Sequence, residues 1–148
     1  MGTIHGIFTS QGGVPKQSIN HCQVDSLGII GDVQANPKHH GGPERAICIL
    51  DIDVLTKLQN EGHPIQPGTT GENLLVSGCT LEIGSRLKID DVILEVISAA
   101  SPCYKIANSF IEGNFNRFSN TKHPGDTRWY CRVIQEGSIK KSSAVDNL

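Results

Sequence analysis

The stretch RLKIDDVILEVI, Arg86–Ile97, restricts the fold of this chain more than any other feature. Leu87 and Ile89 alternate with polar residues, Asp90-Asp91 supplies a turn, and Val92, Leu94 and Val96 share one face. Period-2 alternation on both sides of a tight turn is the signature of a β-hairpin. The other apolar runs are also of strand length: GTIHGIFTS, SINHCQVDSLG, LLV and WYCRVIQEG, all set between Gly, Pro and Asp or Asn. AICIL, Ala46–Leu50, is apolar throughout and so reads as a strand buried on both faces. Only two runs carry helical spacing. In DIDVLTKLQNEGH, Ile52, Leu55 and Leu58 share a face, Asp51 can cap and Gly62 can stop the helix. In SPCYKIANSFIEG, Ile106, Phe110 and Ile111 share a side before Gly113. Sixteen glycines and seven prolines in 148 residues fit a chain of many turns. Short strands with two brief helices predict a single, mainly β domain over residues 1–148, a closed barrel or a sandwich. IKKSSAVDNL, residues 139–148, reads as a polar, frayed tail.

Charge excludes some partners. A formal net charge of −2 and 5 % aromatic residues give neither a global attraction to nucleic acid or anionic lipid nor much surface for stacking bases. The first residues, MGTIHGIF, have no basic flank, and Gly6 stands where a myristoylation signal needs Ser or Thr. No apolar run approaches transmembrane length. The five cysteines (Cys22, Cys48, Cys79, Cys103 and Cys131) are odd in number, scattered and free of any C-x-x-C pair. That pattern argues against a disulfide framework or a zinc knuckle. The expectation is a cytoplasmic protein with reduced thiols, without nucleic-acid or membrane partners.

Three stretches carry residues suited to chemistry. In Ser101-Pro102-Cys103, Ser101 suits an N-cap and Pro102 the first helical position, which places Cys103 in the first turn of a helix. Unpaired backbone N–H groups and the helix dipole there stabilise a thiolate, and Lys105 adds positive charge. The other four cysteines lie in apolar or strand-like runs and read as packing residues. In NPKHHGGPER, Lys38, His39, His40, Gly41, Gly42 and Arg45 form a basic, glycine-rich loop able to cradle an oxyanion. It lacks P-loop spacing, and an ordinary polar turn is the competing reading. In QPGTTGENLLVSG, Glu72 and Asn73 follow a tight loop and enter a strand, a common place for binding residues as well as for plain turns. KHPGDTRWY adds Arg128 and His123 for an anion and Trp129 as a pocket wall.

The motifs GIIGDVQANPKHHGGPERAI, GTTGENLLVSG, GSRLKIDDVILEV followed by SPC, and RWYCRVIQEGSI occur in order. This series resembles the MOSC family, first described as the C-terminal domain of molybdenum-cofactor sulfurases. The resemblance implies a closed, mostly antiparallel MOSC-type β-barrel with a few short helices, as a stand-alone protein. It matches the family's signature cysteine to Cys103 and implies a molybdenum–pterin cofactor, sulfur carried on that cysteine as a persulfide, or both. The implied pocket gathers Lys38, His39, Arg45, Arg128 and the Gly41-Gly42 backbone beside Cys103 at one barrel mouth. Some relatives use the cysteine as a molybdenum ligand and reduce N-hydroxylated compounds, and a cofactor-binding module without turnover is a further reading. The chain is too short for a pyridoxal-phosphate domain and carries no flavin module. Sulfur would therefore come from a separate cysteine desulfurase, or electrons from a separate donor protein. Two departures stand out: Val33 follows Gly31-Asp32 where many relatives carry Arg, and Ser142-Ser143 replaces a closing Gly-Asp.

Overall fold

A computed structural model of the protein describes residues 2–33 and 42–148. Its strands are β1 (Gly2–Thr9), β2 (Gln17–Ile19), β3 (His21–Asp25), β4 (Gly28–Ile29), β5 (Ile47–Asp51), β6 (Leu74–Ser77), β7 (Arg86–Ile89), β8 (Val92–Ala100), β9 (Arg128–Gln135), β10 (Gly137–Lys140) and β11 (Ala144–Asn147). Among the described residues, one α-helix, α1 (Ile52–Asn60), follows β5. The order β11-β7-β8-β9-β5-β6-β1 closes on itself because β1 also pairs with β11. Among the described residues this is a seven-stranded barrel, antiparallel except where β5 and β6 run parallel. A parallel pair needs a long crossover, which α1 and the loop after it supply. A small sheet of β10, β3 and β4 flanks the barrel.

Strand alternation divides the apolar residues into two cores. Ile47 and Ile49 of β5, Leu74 and Val76 of β6, Leu87 and Ile89 of β7, and Trp129 and Cys131 of β9 fill the barrel. Leu50 and Leu75 point the other way and pack with Leu55 and Leu58 of α1, Ile65, Ile106, Phe110 and Phe118 in a second cluster outside it. That explains the unbroken apolar run at β5: the strand is buried on both faces. The hairpin forms in the expected register, with Ile89 opposite Val92 across Asp90-Asp91. Asp51 caps α1 through its carboxylate, which accepts from the Asp53 N–H at 2.8 Å.

Two expectations fail. Residues 139–148 are not a frayed tail, for β11 sits between β1 and β7 and closes the barrel, with Val145 fully buried. A strand of Ala-Val-Asp-Asn turns one large apolar side chain inward, which leaves too little alternation to read. The run after Cys103 is not an α-helix. It is a chain of 3-10 turns, Tyr104–Ser109, Ile111–Gly113 and Phe115–Phe118, interrupted by extended Phe110 and by Glu112 at φ 53°. Ile106 and Phe110 still pack into one cluster, but the extended backbone at Phe110 turns its ring inward, and no continuous helical face does so. No helix among the described residues is long and apolar enough to cross a membrane.

Candidate functional site

Cys103 closes the connection from β8 and occupies the cap position of the 3-10 turn Tyr104–Ser109 with extended backbone, φ −140° and ψ 172°. Ser101 does not cap that turn, since no side chain does. The predicted placement of the thiol inside a helix therefore fails, and a six-residue 3-10 turn has no macrodipole comparable to that of an α-helix. What the structure provides instead is a cleft. Cys103 lines it with Lys16, Arg45, Cys48, Asn73, Lys105, Arg128 and Tyr130, and with Gly13, Val14, Thr70, Gly71, Ser101 and Ile106. Four of these are Lys or Arg, and none of the described lining residues is a carboxylate.

The position of the cleft follows from register. Cys48 of β5 pairs with Tyr130 of β9, and their neighbours Ile47, Ile49, Trp129 and Cys131 face the barrel interior. Cys48, Arg128 and Tyr130 consequently face outward, so the cleft lies against the outer wall of the barrel and not in its mouth. Trp129, expected as a pocket wall, is a barrel-core residue, and Tyr130 lines the cleft in its place. His123 is exposed and does not line the cleft.

Arg128 is 7 % exposed. Its Nη1 donates to the Thr70 carbonyl at 2.6 Å, its Nη2 makes a longer contact of 3.5 Å to the Ala100 carbonyl, and the guanidinium lies over the Phe118 ring. Its Nε–H is buried without an acceptor. An unmet buried donor costs about 1–3 kcal/mol, so an acceptor brought to this N–H would recover that cost. Thr70 is fixed in turn, because its hydroxyl donates to Glu72 Oε1 at 2.9 Å while the Gly68 N–H donates to Glu72 Oε2 at 2.8 Å. Gly68 adopts φ +83°, and a β-carbon there would lie 2.8 Å from the Lys16 carbonyl oxygen. The glycine thus lets the loop close on the chain that carries Lys16.

Glu72 and Asn73, expected to touch a cofactor, are held by protein. Glu72 is fully buried, and burial raises its carboxyl above the ordinary range against the opposing hydrogen bonds and the field of Arg128. Asn73 lines the cleft, yet its Oδ1 accepts from the Cys48 N–H and its Nδ2 donates to the Phe8 carbonyl and to Asp32. Asp32 also accepts from Lys16 Nζ at 2.7 Å and from the Ser10 N–H, in a nearly buried ion pair. The Gly31-Asp32 motif is therefore a bracket for the cleft's basic wall. Val33 helps hold the same corner, its N–H donating to the Ser10 carbonyl at 2.7 Å.

Arg45 lies over the Tyr130 ring, 5.6 Å from its centroid, at the cleft. Burial raises the Tyr130 phenol, whose hydroxyl also feels Cys48, Arg128, Arg45 and Cys103. Gly42 caps the 3-10 turn Pro43–Arg45 and is not among the lining residues, while Lys38, His39, His40 and Gly41 lie outside the described residues. Of the predicted site residues, the structure brings together Cys103, Arg45, Arg128 and Asn73. Sequence reasoning missed Lys16, Cys48, Thr70 and Tyr130. Cys48 and Tyr130 had one available signal, since both occupy the outward phase of their strands.

Fold and site together define a β-barrel with a thiol in a basic cleft on its outer wall. Residues 36–146 match the MOSC domain, and the chain belongs to that family. It is 30 % identical over 122 residues to YflK of Bacillus subtilis, covering 80 % of this chain and 54 % of YflK. It is 32 % identical over 132 residues to a protein named reductase from Gibberella moniliformis, covering 83 % of this chain but 23 % of that one. The chain thus spans about half of the first relative and under a quarter of the second. The crystal structure of YiiM from Geobacillus stearothermophilus superimposes over the whole chain with a TM-score of 0.76 at 20 % identity, a likeness of fold.

Proposed function

We propose that the cleft binds a molybdenum–pterin cofactor and that Cys103 is its working thiol, carrying sulfur as a persulfide. One observation supports this most directly: Cys103 and Arg128 share a cleft with no carboxylate among its described lining residues, and the buried Arg128 Nε–H has no acceptor. An anionic pterin suits such a lining, and a thiolate is a soft ligand of the kind transition metals accept. Arg128 and Arg45 would hold the anionic part, Tyr130 would wall the site, and Cys103 would meet the metal or the sulfur. The cofactor, when bound, supplies two-electron redox chemistry. A separate cysteine desulfurase is the expected sulfur source.

A second reading rests on the likeness to the protein named reductase. Here Cys103 would serve as a molybdenum ligand, and the site would reduce N-hydroxylated compounds, as the family resemblance implies, with electrons from a separate donor protein. Elemental analysis of protein made in a cofactor-competent host tests both. Stoichiometric molybdenum with a bound pterin, lost in Cys103→Ser and weakened about tenfold in Arg45→Ala, supports cofactor binding. Protein that takes up neither molybdenum and pterin nor sulfur from a desulfurase overturns the proposal.

A further inference from the structure

Sulfur transfer onto a thiol needs two things from a site: a nucleophilic sulfur, and a place for the group that leaves. The cleft offers both. Cys103 is its only lining thiol apart from Cys48, which burial pushes up to about 11 and so keeps protonated. Arg128 supplies the second requirement. With Nη1 committed to the Thr70 carbonyl and Nη2 in only a long 3.5 Å contact to the Ala100 carbonyl, the Nε–H is left without an acceptor, and with the adjacent Nη2 N–H it forms a fork of the kind that meets two oxygens of an oxyanion. Tyr130 connects the two ends of the site, its hydroxyl lying within the fields of both Cys103 and Arg128. Arg45 and Lys105, exposed at the cleft, add positive charge that draws small anions toward it.

We propose that Cys103 takes sulfur directly from thiosulfate-type donors, in which a sulfane sulfur is bonded to an oxyanion-bearing sulfur, with the Arg128 fork holding the oxyanion. The inference rests on the persulfide reading and names a donor class for it. The step balances without a redox partner. The Cys103 thiol releases its proton to solvent, and its sulfur attacks the sulfane sulfur of thiosulfate. The new Sγ–S bond forms as the S–S bond of thiosulfate breaks. The electron pair leaves with sulfite, and Cys103 is left as a persulfide. Arg128 acts on the oxygens of the departing sulfite, where negative charge grows. Lys16 is tied to Asp32 and serves the wall, not the leaving group.

The test incubates the full chain with thiosulfate and follows sulfite release together with the mass of the Cys103 peptide. The expected result is one sulfite per chain and a single added sulfur on Cys103. Sulfate, which carries the oxyanion but no sulfane sulfur, should compete. Arg128→Met should slow sulfite release roughly tenfold or more, because it removes a charge-assisted contact. Sulfite release is compared relative to the rate at which neutral iodoacetamide alkylates Cys103 in the same protein, so that any loss from a less ionised thiol or an altered fold is separated from loss of the oxyanion contact. Should Arg128→Met not fold, sulfate competition in the unaltered protein still decides the oxyanion site. Sulfite release that is insensitive to sulfate, or as fast in folded Arg128→Met, overturns the proposal. If a cysteine desulfurase loads Cys103 while thiosulfate does not, the inference fails and the carrier reading stands. If neither loads it, both fail.

Discussion

Arg128 and Thr70 stand 58 residues apart and are joined by a 2.6 Å hydrogen bond from the guanidinium to the Thr70 carbonyl. The bond fixes a strand of the barrel wall to a loop on the far side of the cleft. It holds because the Thr70 hydroxyl is itself held by Glu72, a fully buried carboxylate. The cleft's shape therefore depends on a residue that does not line it.

Glu72→Gln should destabilise the fold by about 1–3 kcal/mol, since an amide cannot accept from both the Gly68 N–H and the Thr70 hydroxyl without placing a donor against one of them. Its effect on pH dependence has a definite sign. Burial raises the Glu72 carboxyl, so the folded state holds that proton more tightly than the unfolded state. The contribution is complete below the ordinary glutamate range and is lost as pH rises through the raised value. Chemical denaturation from the ordinary glutamate range upward should show this decline in the unaltered protein and a shallower one in Glu72→Gln. Parallel pH curves would remove Glu72 from the account.

Arg117 contributes to the acid limb. It donates to both oxygens of Glu61 at 2.8 and 2.7 Å and to Asp126 at 3.1 Å, tying the end of α1 to the turn Phe115–Phe118 and the loop before β9. The hydrogen bonds from Arg117 pull Glu61 down to about 2. Asp126 is also lowered: burial opposes the shift, and bonds from Lys57 and Arg117 overcome it. Depressed carboxylates stabilise the fold above their ordinary range and lose that contribution as pH falls toward the folded value. Arg117→Met should cost about 1–2 kcal/mol at neutral pH, less than a fully buried pair because the Glu61 side chain is 39 % exposed. It should also flatten the loss of stability between roughly pH 4.5 and 2. Acid titration followed by circular dichroism measures both.

Hairpin, capped helix and buried β5 were all legible because each carries its signal within a dozen residues. Ile89 and Val92 meet across two aspartates, Asp51 sits one residue before α1, and Ile47–Leu50 is apolar without a break. What stayed hidden depends on partners far along the chain. Val145 is buried only because β1 and β7 lie on either side of it. Glu72 and Asn73 look like binding residues in sequence, since nothing local shows that Thr70, Gly68, Cys48 and Asp32 already satisfy them. Cys103 was found for a partly mistaken reason: the Ser-Pro pair marks a turn at the cleft but does not begin an α-helix. Lys16 reached the cleft through an ion pair with Asp32 that no spacing rule announces.

Removing residues 144–148 should open the barrel. That deletion takes away β11 and leaves the edges of β1 and β7 unpaired, with the space filled by Val145 exposed to water. A frayed tail would be lost without effect. The expected outcome is a large drop in thermal midpoint, or insoluble protein through edge-to-edge pairing. Val145→Ala, which keeps the strand and removes two methyl groups, should cost about 1–3 kcal/mol. An unshifted midpoint in the truncated chain would show that the barrel closes without β11.

The thiols should differ sharply in reactivity, because only thiolates react at useful rates and burial opposes ionisation. Burial pushes Cys22, Cys48 and Cys79 up to about 11, and Cys131 well above the ordinary thiol value. At neutral pH these four are protonated almost completely, and Cys22, Cys48 and Cys131 are also buried against reagent. Cys103 is half-exposed in a cleft whose other lining charges are positive. Limiting iodoacetamide at neutral pH should therefore label Cys103 first, followed by peptide mass mapping to rank the rest. Cys79, the other partly exposed thiol, is the informative control: its exposure matches that of Cys103 in class, but its surroundings differ, with Asp51 adding to the effect of burial. Cys79 should lag at neutral pH and gain on Cys103 as pH approaches its raised value. Equal labelling of Cys79 and Cys103 at neutral pH would mean that accessibility alone sets the order and that the basic cleft confers nothing on Cys103.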